Sequence, residues 1–315
     1  MKGFKPEEKP RRELHHILLS CIAPRPIAFV STLGTDNIPN LAPFSFFNCF
    51  SSNPPVVVFS PSYRGTDGSA KDTLQNLRSL PECTINGVPE YLLPQVNLAA
   101  SPYPPDVDEF QQTGLTPVPS TMVAPFRVKE APFTLECKVR QIIELSPGQP
   151  ASGNLVICDV VYIHLSPAIL DEQGKIDPRK LQLVGRLGYS WYSRTADSLF
   201  CLDMPLKPTI GIPQLPASVQ RSPVFTIREL ALLASVPSIP EPDPSFVQHL
   251  PSAEPPVETA FLAGNTLGAL RLLLEQQEHL TPEQFQLWIH RIAREVLQQY
   301  QIETAWQILL CDPYL

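Results

Sequence analysis

From Pro26 to about Tyr192 the apolar positions fall in short, strand-sized runs, whereas beyond Phe200 they recur mainly at helical spacing. Ile27-Ala28-Phe29-Val30, Val56-Val57-Val58-Phe59 and Leu155-Val156-Ile157 are bounded by Pro, Gly, Asn or Ser, which marks strands. Phe133 to Leu145 partly alternates, with Thr134, Glu136, Lys138 and Arg140 opposite Phe133, Leu135, Cys137 and Val139. That pattern predicts a long, half-buried antiparallel strand. Several strands without regular intervening helices predict a barrel or sandwich rather than a doubly wound sheet.

Helices interrupt the strands. Leu14 to Leu19 is short and amphipathic, and Glu90 to Ala100 holds Pro94, so it bends or starts late. Ser69 to Ser79 opens on Ser69-Ala70-Lys71-Asp72, which predicts a serine N-cap. Further on, Thr226-Ile227-Arg228-Glu229 caps a short helix through Leu233. Val236 to Val257 holds seven prolines in 22 residues, the composition of a stiff linker. Two helices are expected beyond it, over Glu258 to Gln277 and from Thr281-Pro282-Glu283-Gln284 onward. The second carries the apolar stripe Phe285, Trp288, Ile289, Ile292, Val296 and Leu297. The expected organisation is therefore a mainly β domain with peripheral helices over 1–204, a proline-rich tail and linker over 205–257, and a C-terminal helical extension over 258–315. The extension packs on the main domain or on itself, or docks a partner.

Composition narrows the picture. The 37 prolines in 315 residues exclude a long helical bundle, because interior proline removes a hydrogen bond and clashes with the preceding turn. A net charge of −7 without like-charge runs gives no reason to seek a nucleic-acid backbone. Seven widely spaced cysteines with no C-x-x-C, and six histidines without ligand spacing, indicate reduced thiols and no metal site. Met1 to Glu13 has no apolar h-region, and the apolar runs are too short to span a membrane. The expectation is a soluble, cytoplasmic protein.

One stretch suggests chemistry. A strand through Ser31 and Thr32 feeds Asn40-Leu41-Ala42-Pro43-Phe44-Ser45-Phe46-Phe47-Asn48; Asn53-Pro54-Pro55 opens a second strand ending at Ser60; and Lys71-Asp72-Thr73 sits at a helix start. A helix N-terminus presents free N–H groups and a positive dipole end, which suits a phosphate. The loop of Ser, Asn and aromatics suits a flat heteroaromatic ring with a polar rim. Together they describe an aromatic phosphate ligand such as FMN, although each feature alone is equally an ordinary turn, core or surface residue.

In combination the motifs resemble the flavin reductase-like family with the FMN-binding split-barrel fold, especially its flavoredoxin-type branch. The resemblance runs from Arg25 to about Arg194. It rests on R-P-I-A-F-V-S-T, N-L-A-P-F-S-F-F-N, N-P-P, K-D-T, Asp108-Glu109-Phe110 with Gly114-Leu115-Thr116, and Arg186-Leu187-Gly188 with Tyr189. It implies that Ser31, Thr32 and the loop Ser45, Phe46, Phe47, Asn48 to Ser51 hold the isoalloxazine ring and ribityl chain. Ser60, Lys71, Asp72 and Thr73 would form the phosphate end, with Asp72 capping the helix or orienting Lys71. Arg25, Arg186 and Tyr189 would line the flavin or nicotinamide face. Two departures from the family pattern stand out: Asn53 before the Pro-Pro, where Asp is common, and Cys158 in Ile157-Cys158-Asp159, where glycine is common.

The implied activity is that of an FMN-dependent oxidoreductase. It takes hydride from transient NADH or NADPH and passes electrons to flavin or to another small-molecule or protein acceptor. No catalytic side chain is required, because the flavin carries the chemistry. The resemblance also implies a homodimer with FMN at the interface. The rival is a non-catalytic flavin-binding or electron-carrier protein acting within a complex. A split-barrel oxidase acting on a phosphorylated ring would need a second basic cluster, and the sequence shows none.

Overall fold

The computed structural model describes residues 1–315, which divide into two units, Met1–Leu199 and Phe200–Leu315. In the first unit the strands are β1 (Ala28–Leu33), β2 (Pro39–Phe44), β3 (Phe47–Ser52), β4 (Pro55–Phe59), β5 (Glu82–Asn86), β6 (Pro117–Val118), β7 (Arg127–Val128), β8 (Phe133–Glu144), β9 (Asn154–Leu165), β10 (Val184–Arg186) and β11 (Tyr192–Arg194). Its helices are α1 (Arg11–Cys21), α2 (Asp72–Ser79), α3 (Leu93–Ala99), α4 (Glu109–Thr113) and α5 (Pro178–Leu181). Seven strands form one antiparallel sheet in the order β2-β1-β5-β8-β9-β4-β3, while β6–β7 and β10–β11 form separate ribbons.

The connection between β2 and β3 explains the shape of this sheet. The two strands are its opposite edges, yet only Ser45 and Phe46 separate them in the chain. Three Cα steps reach at most about 11 Å, so the sheet must curl until its edges meet at this point. The edges share no ladder, and the result is an unclosed, split barrel. The Phe44 and Phe59 rings lie 5.6 Å apart, and the Ser60 N–H bonds to the Phe46 carbonyl at 2.9 Å, which holds the turn in place.

Both faces of β1 are covered. Ala28 and Val30 join Phe44, Val57, Phe59, Leu77, Ile85 and Val156 in one buried cluster, while Ile27 and Phe29 join Val88, Leu92, Val96 and Phe110 in another. This is why the strand reads as a continuous apolar run rather than an alternation. Cys158 is fully buried in the first cluster together with Cys83 and Cys137, so its thiol fills core space and lines none of the clefts described below.

Three local expectations change. The Phe133–Leu145 alternation does not separate core from solvent, because Thr134 and Glu136 are buried. The Glu136 carboxylate accepts the N–H groups of Thr121 (2.7 Å) and Met122 (2.6 Å) and meets His164 Nε2 at 2.6 Å, so a loop and a neighbouring strand cover that face. These contacts hold the Glu136 carboxyl below its ordinary range against the opposing effect of burial. Secondly, Ser69 does not cap α2: its hydroxyl donates to Asp67 at 2.8 Å, and Lys71 occupies the N-cap position. Thirdly, Glu90 to Ala100 resolves into a short 3-10 turn and then α3, with Pro94 in the first helical turn.

The second unit contains α6 (Ala217–Gln220), α7 (Ile227–Leu233), α8 (Pro244–Gln248), α9 (Val257–Leu262), α10 (Thr266–Glu275), α11 (Pro282–Gln298) and α12 (Ile302–Leu309). Residues 205–257 do not behave as a tail and linker. Leu215, Val219, Phe225, Leu230, Leu233 and Leu250 share one buried cluster with Leu270, Leu273, Phe285, Ile289 and Trp306. Proline misleads here because Pro244 starts α8 rather than breaking a helix. The helix expected over Glu258–Gln277 is two helices, parted at Gly264 (φ +79) and recapped by the Asn265 side chain on the Gly268 N–H. The capping boxes at Thr226 and Thr281 form as expected. No helix is long and apolar enough to cross a membrane.

Candidate functional site

Three clefts follow the split edge of the barrel along β2 and the Ser45–Phe46 connection. The first, of about 320 Å³, is lined by Asn40, Pro43, Arg64, Lys71, Asp72, Thr73, Ala100, Tyr103 and Glu109, among others. The second, of about 310 Å³, is lined by Arg25, Ser45, Phe46, Phe47, Asn48, Phe50 and Ser60, among others. A smaller one of about 190 Å³ has Pro43, Ser45, Asn97, Ala100, Arg186 and Tyr192 on its walls. It shares Pro43 and Ala100 with the first cleft and Ser45 with the second, so the three form a connected surface.

The first cleft holds a cationic spot at the start of α2. No side chain caps α2, so its first-turn N–H groups lack a side-chain acceptor. Lys71 precedes them with its Nζ 5.5 Å from the centre of the Phe44 ring. Burial, together with the nearby Arg64 guanidinium, pulls the Lys71 ammonium below its ordinary pKa. Asp72 neither caps the helix nor pairs with Lys71. It forms an ion pair with Arg64 at 2.8 Å, which leaves Lys71 without a carboxylate partner. Thr73 is buried, its hydroxyl accepting the Asn40 amide N–H at 2.9 Å.

Opposite these cations, Glu109 is 8% exposed and its Oε2 accepts the Leu41 N–H at 3.0 Å. Burial pushes its carboxyl up to about 7, and the charges of Asp72 and Asp108 add to the rise against the helping hydrogen bonds. The cleft thus joins a cationic spot to a carboxyl that titrates near neutrality.

The second cleft is mainly apolar. Phe46 and Phe50 are 40% and 68% exposed, leaving aromatic faces free to meet a ring or another chain. Ser45 sits between the second and third clefts and is within 3.4 Å of Arg25 Nε.

Other expected site residues are placed differently. Ser31 and Thr32 are fully buried in β1 and line no cleft; the Thr32 hydroxyl accepts amide N–H groups from Asn40 (3.3 Å) and Asn76 (3.1 Å). Alternation in a strand covered on both faces gives no sign of which residues face a ligand. Ser60 lies in the second cleft rather than beside Lys71, and its Oγ accepts the Asn154 N–H at 3.1 Å. Ser51 lines none of the three clefts and accepts the Asn53 N–H at 3.2 Å. Arg25 lines the second cleft, but its guanidinium donates to the carbonyls of Leu19, Ile22 (2.7 Å) and Leu187 (3.1 Å). It is a clasp between the end of α1 and the β10–β11 turn. Arg186 reaches the third cleft and stacks over the Tyr192 ring at 4.4 Å. Tyr189 lines no cleft; it is 63% exposed and stacks on His16 with ring centres 4.5 Å apart.

Residues not singled out from the sequence also line the clefts: Arg64, Asn40, Tyr103 and Glu109 in the first, and Asn97 with Tyr192 in the third. Glu109 carried a signal, standing within the Asp108-Glu109-Phe110 motif. Arg64 carried none, because its partner Asp72 comes into reach only through the fold of an intervening loop.

Comparison with known proteins agrees with this architecture. An uncharacterized protein of Aquifex aeolicus is 34% identical over 189 residues, covering 60% of this chain and 93% of its own. Among solved structures, nitrilotriacetate monooxygenase component B from Bacillus cereus aligns with a TM-score of 0.60 at 28% identity, over 64% of this chain and 98% of that one. The 2-nitrobenzoate 2-nitroreductase of Pseudomonas fluorescens aligns with a TM-score of 0.58 at 26% identity, over 67% and 100%. Residues 19–182 match the flavin reductase like domain, and with its split barrel the chain belongs to the flavin reductase-like family.

Proposed function

We propose that this protein is an FMN-dependent oxidoreductase that takes hydride from NADH or NADPH and delivers electrons to flavin or to another small-molecule or protein acceptor. The observation that carries the reading is the unpaired Lys71 at the uncapped start of α2, on a surface continuous with an apolar, aromatic cleft. A phosphate would complete the hydrogen-bonding and charge needs of the first; a planar ring would cover the second. The residues present therefore fit FMN.

In this reading Lys71 and the first-turn N–H groups of α2 hold the phosphate, and the Arg64–Asp72 pair keeps Asp72 from neutralising Lys71. Ser45 and Asn48 supply polar contacts to the ring edge, while Phe46 and Phe50 exclude water from its face. Arg186, braced on Tyr192, offers a cation at the neighbouring cleft for a transient nicotinamide dinucleotide. Bound FMN supplies hydride acceptance and electron transfer, and no side chain is assigned as a general acid or base. The reading includes a homodimer, in which a second copy covers the exposed Phe46 and Phe50. Similarity to a monooxygenase component and to a nitroreductase supports an acceptor outside the polypeptide.

The test is spectroscopic. Purified protein loaded with FMN is expected to bleach rapidly when NADH or NADPH is added without oxygen. Bound flavin that stays oxidised with both donors would favour the electron-carrier reading, and failure to bind FMN at all would remove the assignment.

A further inference from the structure

A further cleft lies outside the flavin reductase-like domain. It is a space of about 500 Å³ in the second unit, between α6 with the loop that follows it and one face of α11. Glu283, Gln286, Leu287 and His290 on its wall follow the i, i+3, i+4, i+7 spacing of a single helical face. Its volume falls within the range of small-ligand sites.

Its polar groups are unusually incomplete. His290 is 2% exposed; its Nδ1 lies 2.9 Å from Ser222 Oγ, while its Nε2 is buried with no partner. Ser218 Oγ is likewise buried and unpartnered. Buried polar groups are normally satisfied, because leaving one unpaired costs about 1–3 kcal/mol. Burial lowers the pKa of His290, with Asp312 acting in the opposite sense, so the ring is neutral near pH 7. Ser222 Oγ already accepts the Val224 N–H at 3.1 Å, so its own hydrogen is free to donate to Nδ1. With Ser222 donating to Nδ1, His290 Nε2 carries the hydrogen and is a neutral donor; with the proton on Nδ1, Nε2 is a free acceptor. No group orients that far nitrogen, so the Ser222–His290 pair is arranged to hold a ligand rather than to activate a nucleophile.

The charges in the cleft are also unmatched. Arg221 makes no ion pair, and neither does Glu283, whose carboxyl is held below its ordinary range by the backbone and hydroxyl donors at the start of α11. One unpaired cation and one unpaired carboxylate in the same lining disfavour a phosphate dianion. They suit a molecule that carries one carboxylate and one amine.

We propose that the α6–α11 cleft binds a small amino acid-like zwitterion, its carboxylate on Arg221 with Ser218 and His290 as neutral partners and its ammonium towards Glu283. This site is independent of the flavin clefts. The test is calorimetric titration of the full-length protein with L-alanine, L-glutamine, L-lactate, acetate and inorganic phosphate. Saturable binding of an amino acid is expected, weakened roughly fivefold or more by Arg221→Ala and by Glu283→Gln, with FMN affinity unchanged in both variants. Lactate binding as tightly as alanine would overturn the role of Glu283, and phosphate binding more tightly than any carboxylate would overturn the ligand class. Absence of binding by both amino acids, or binding insensitive to Arg221→Ala, would overturn the site. Both variants change exposed residues outside the core, so a folding defect does not obscure the result.

Discussion

Replacing Lys71 by alanine is expected to weaken FMN binding by roughly 10- to 150-fold while leaving riboflavin binding nearly unchanged. A hydrogen bond to a charged group contributes about 1.5–3 kcal/mol, and each 1.4 kcal/mol is tenfold in affinity. Lys71 reaches the upper part of that range because its ammonium is partly desolvated and has no carboxylate partner in the protein. Removing it takes away the only lysine in a cleft whose other cation, Arg64, is occupied by Asp72. Titration of apo-protein with FMN and with riboflavin, followed by flavin fluorescence, measures both affinities. An equal loss for the two ligands would place Lys71 against the ring, and no loss for either would move the phosphate elsewhere.

Glu109→Gln is expected to stabilise the first unit at pH 8 by up to about 3 kcal/mol and to change it little at pH 4.5. The folded carboxyl titrates at about 7 instead of its ordinary 4.5, so the folded chain holds this proton more tightly than the unfolded chain. Its contribution to stability is complete below pH 4.5 and is lost as pH rises through 7. Each pH unit between these values is worth about 1.4 kcal/mol, which sets the upper bound. Glutamine cannot ionise but keeps a carbonyl oxygen to accept the Leu41 N–H, so the variant should be free of this pH dependence. Denaturant midpoints for the wild type and variant at both pH values test it. Parallel profiles would show that the carboxyl ionises without penalty.

The two predictions differ in how much of them the sequence could supply. Lys71 was legible because Lys-Asp-Thr stands at a helix start, and helix boundaries are local properties of caps and turns. Even there the neighbours changed: Ser69 bonds to Asp67, and Asp72 turns to Arg64. Glu109 was visible as a motif residue without a role, since its perturbed carboxyl arises from burial against β2 and from Asp72, 37 positions away in the chain. Ser31 and Thr32 show the converse. They sit within a recognisable motif, yet both faces of β1 are covered and neither side chain reaches a cleft.

Sequence by itself determined what depends on neighbouring residues: the strand-sized apolar runs, the capping boxes at Thr226 and Thr281, and the motifs that identify the family. The tertiary structure alone decided what depends on distant residues. It curled the sheet so that its edges meet at Ser45–Phe46, and it gave Arg25 to backbone carbonyls rather than to a ligand. It also drew apolar residues of the proline-rich stretch, Leu215, Val219, Phe225 and Leu250 among them, into a helical core. The physical reason is the range of the forces involved: dihedral preferences and caps act over about four residues, whereas burial and pairing are set by whichever residues the chain brings together.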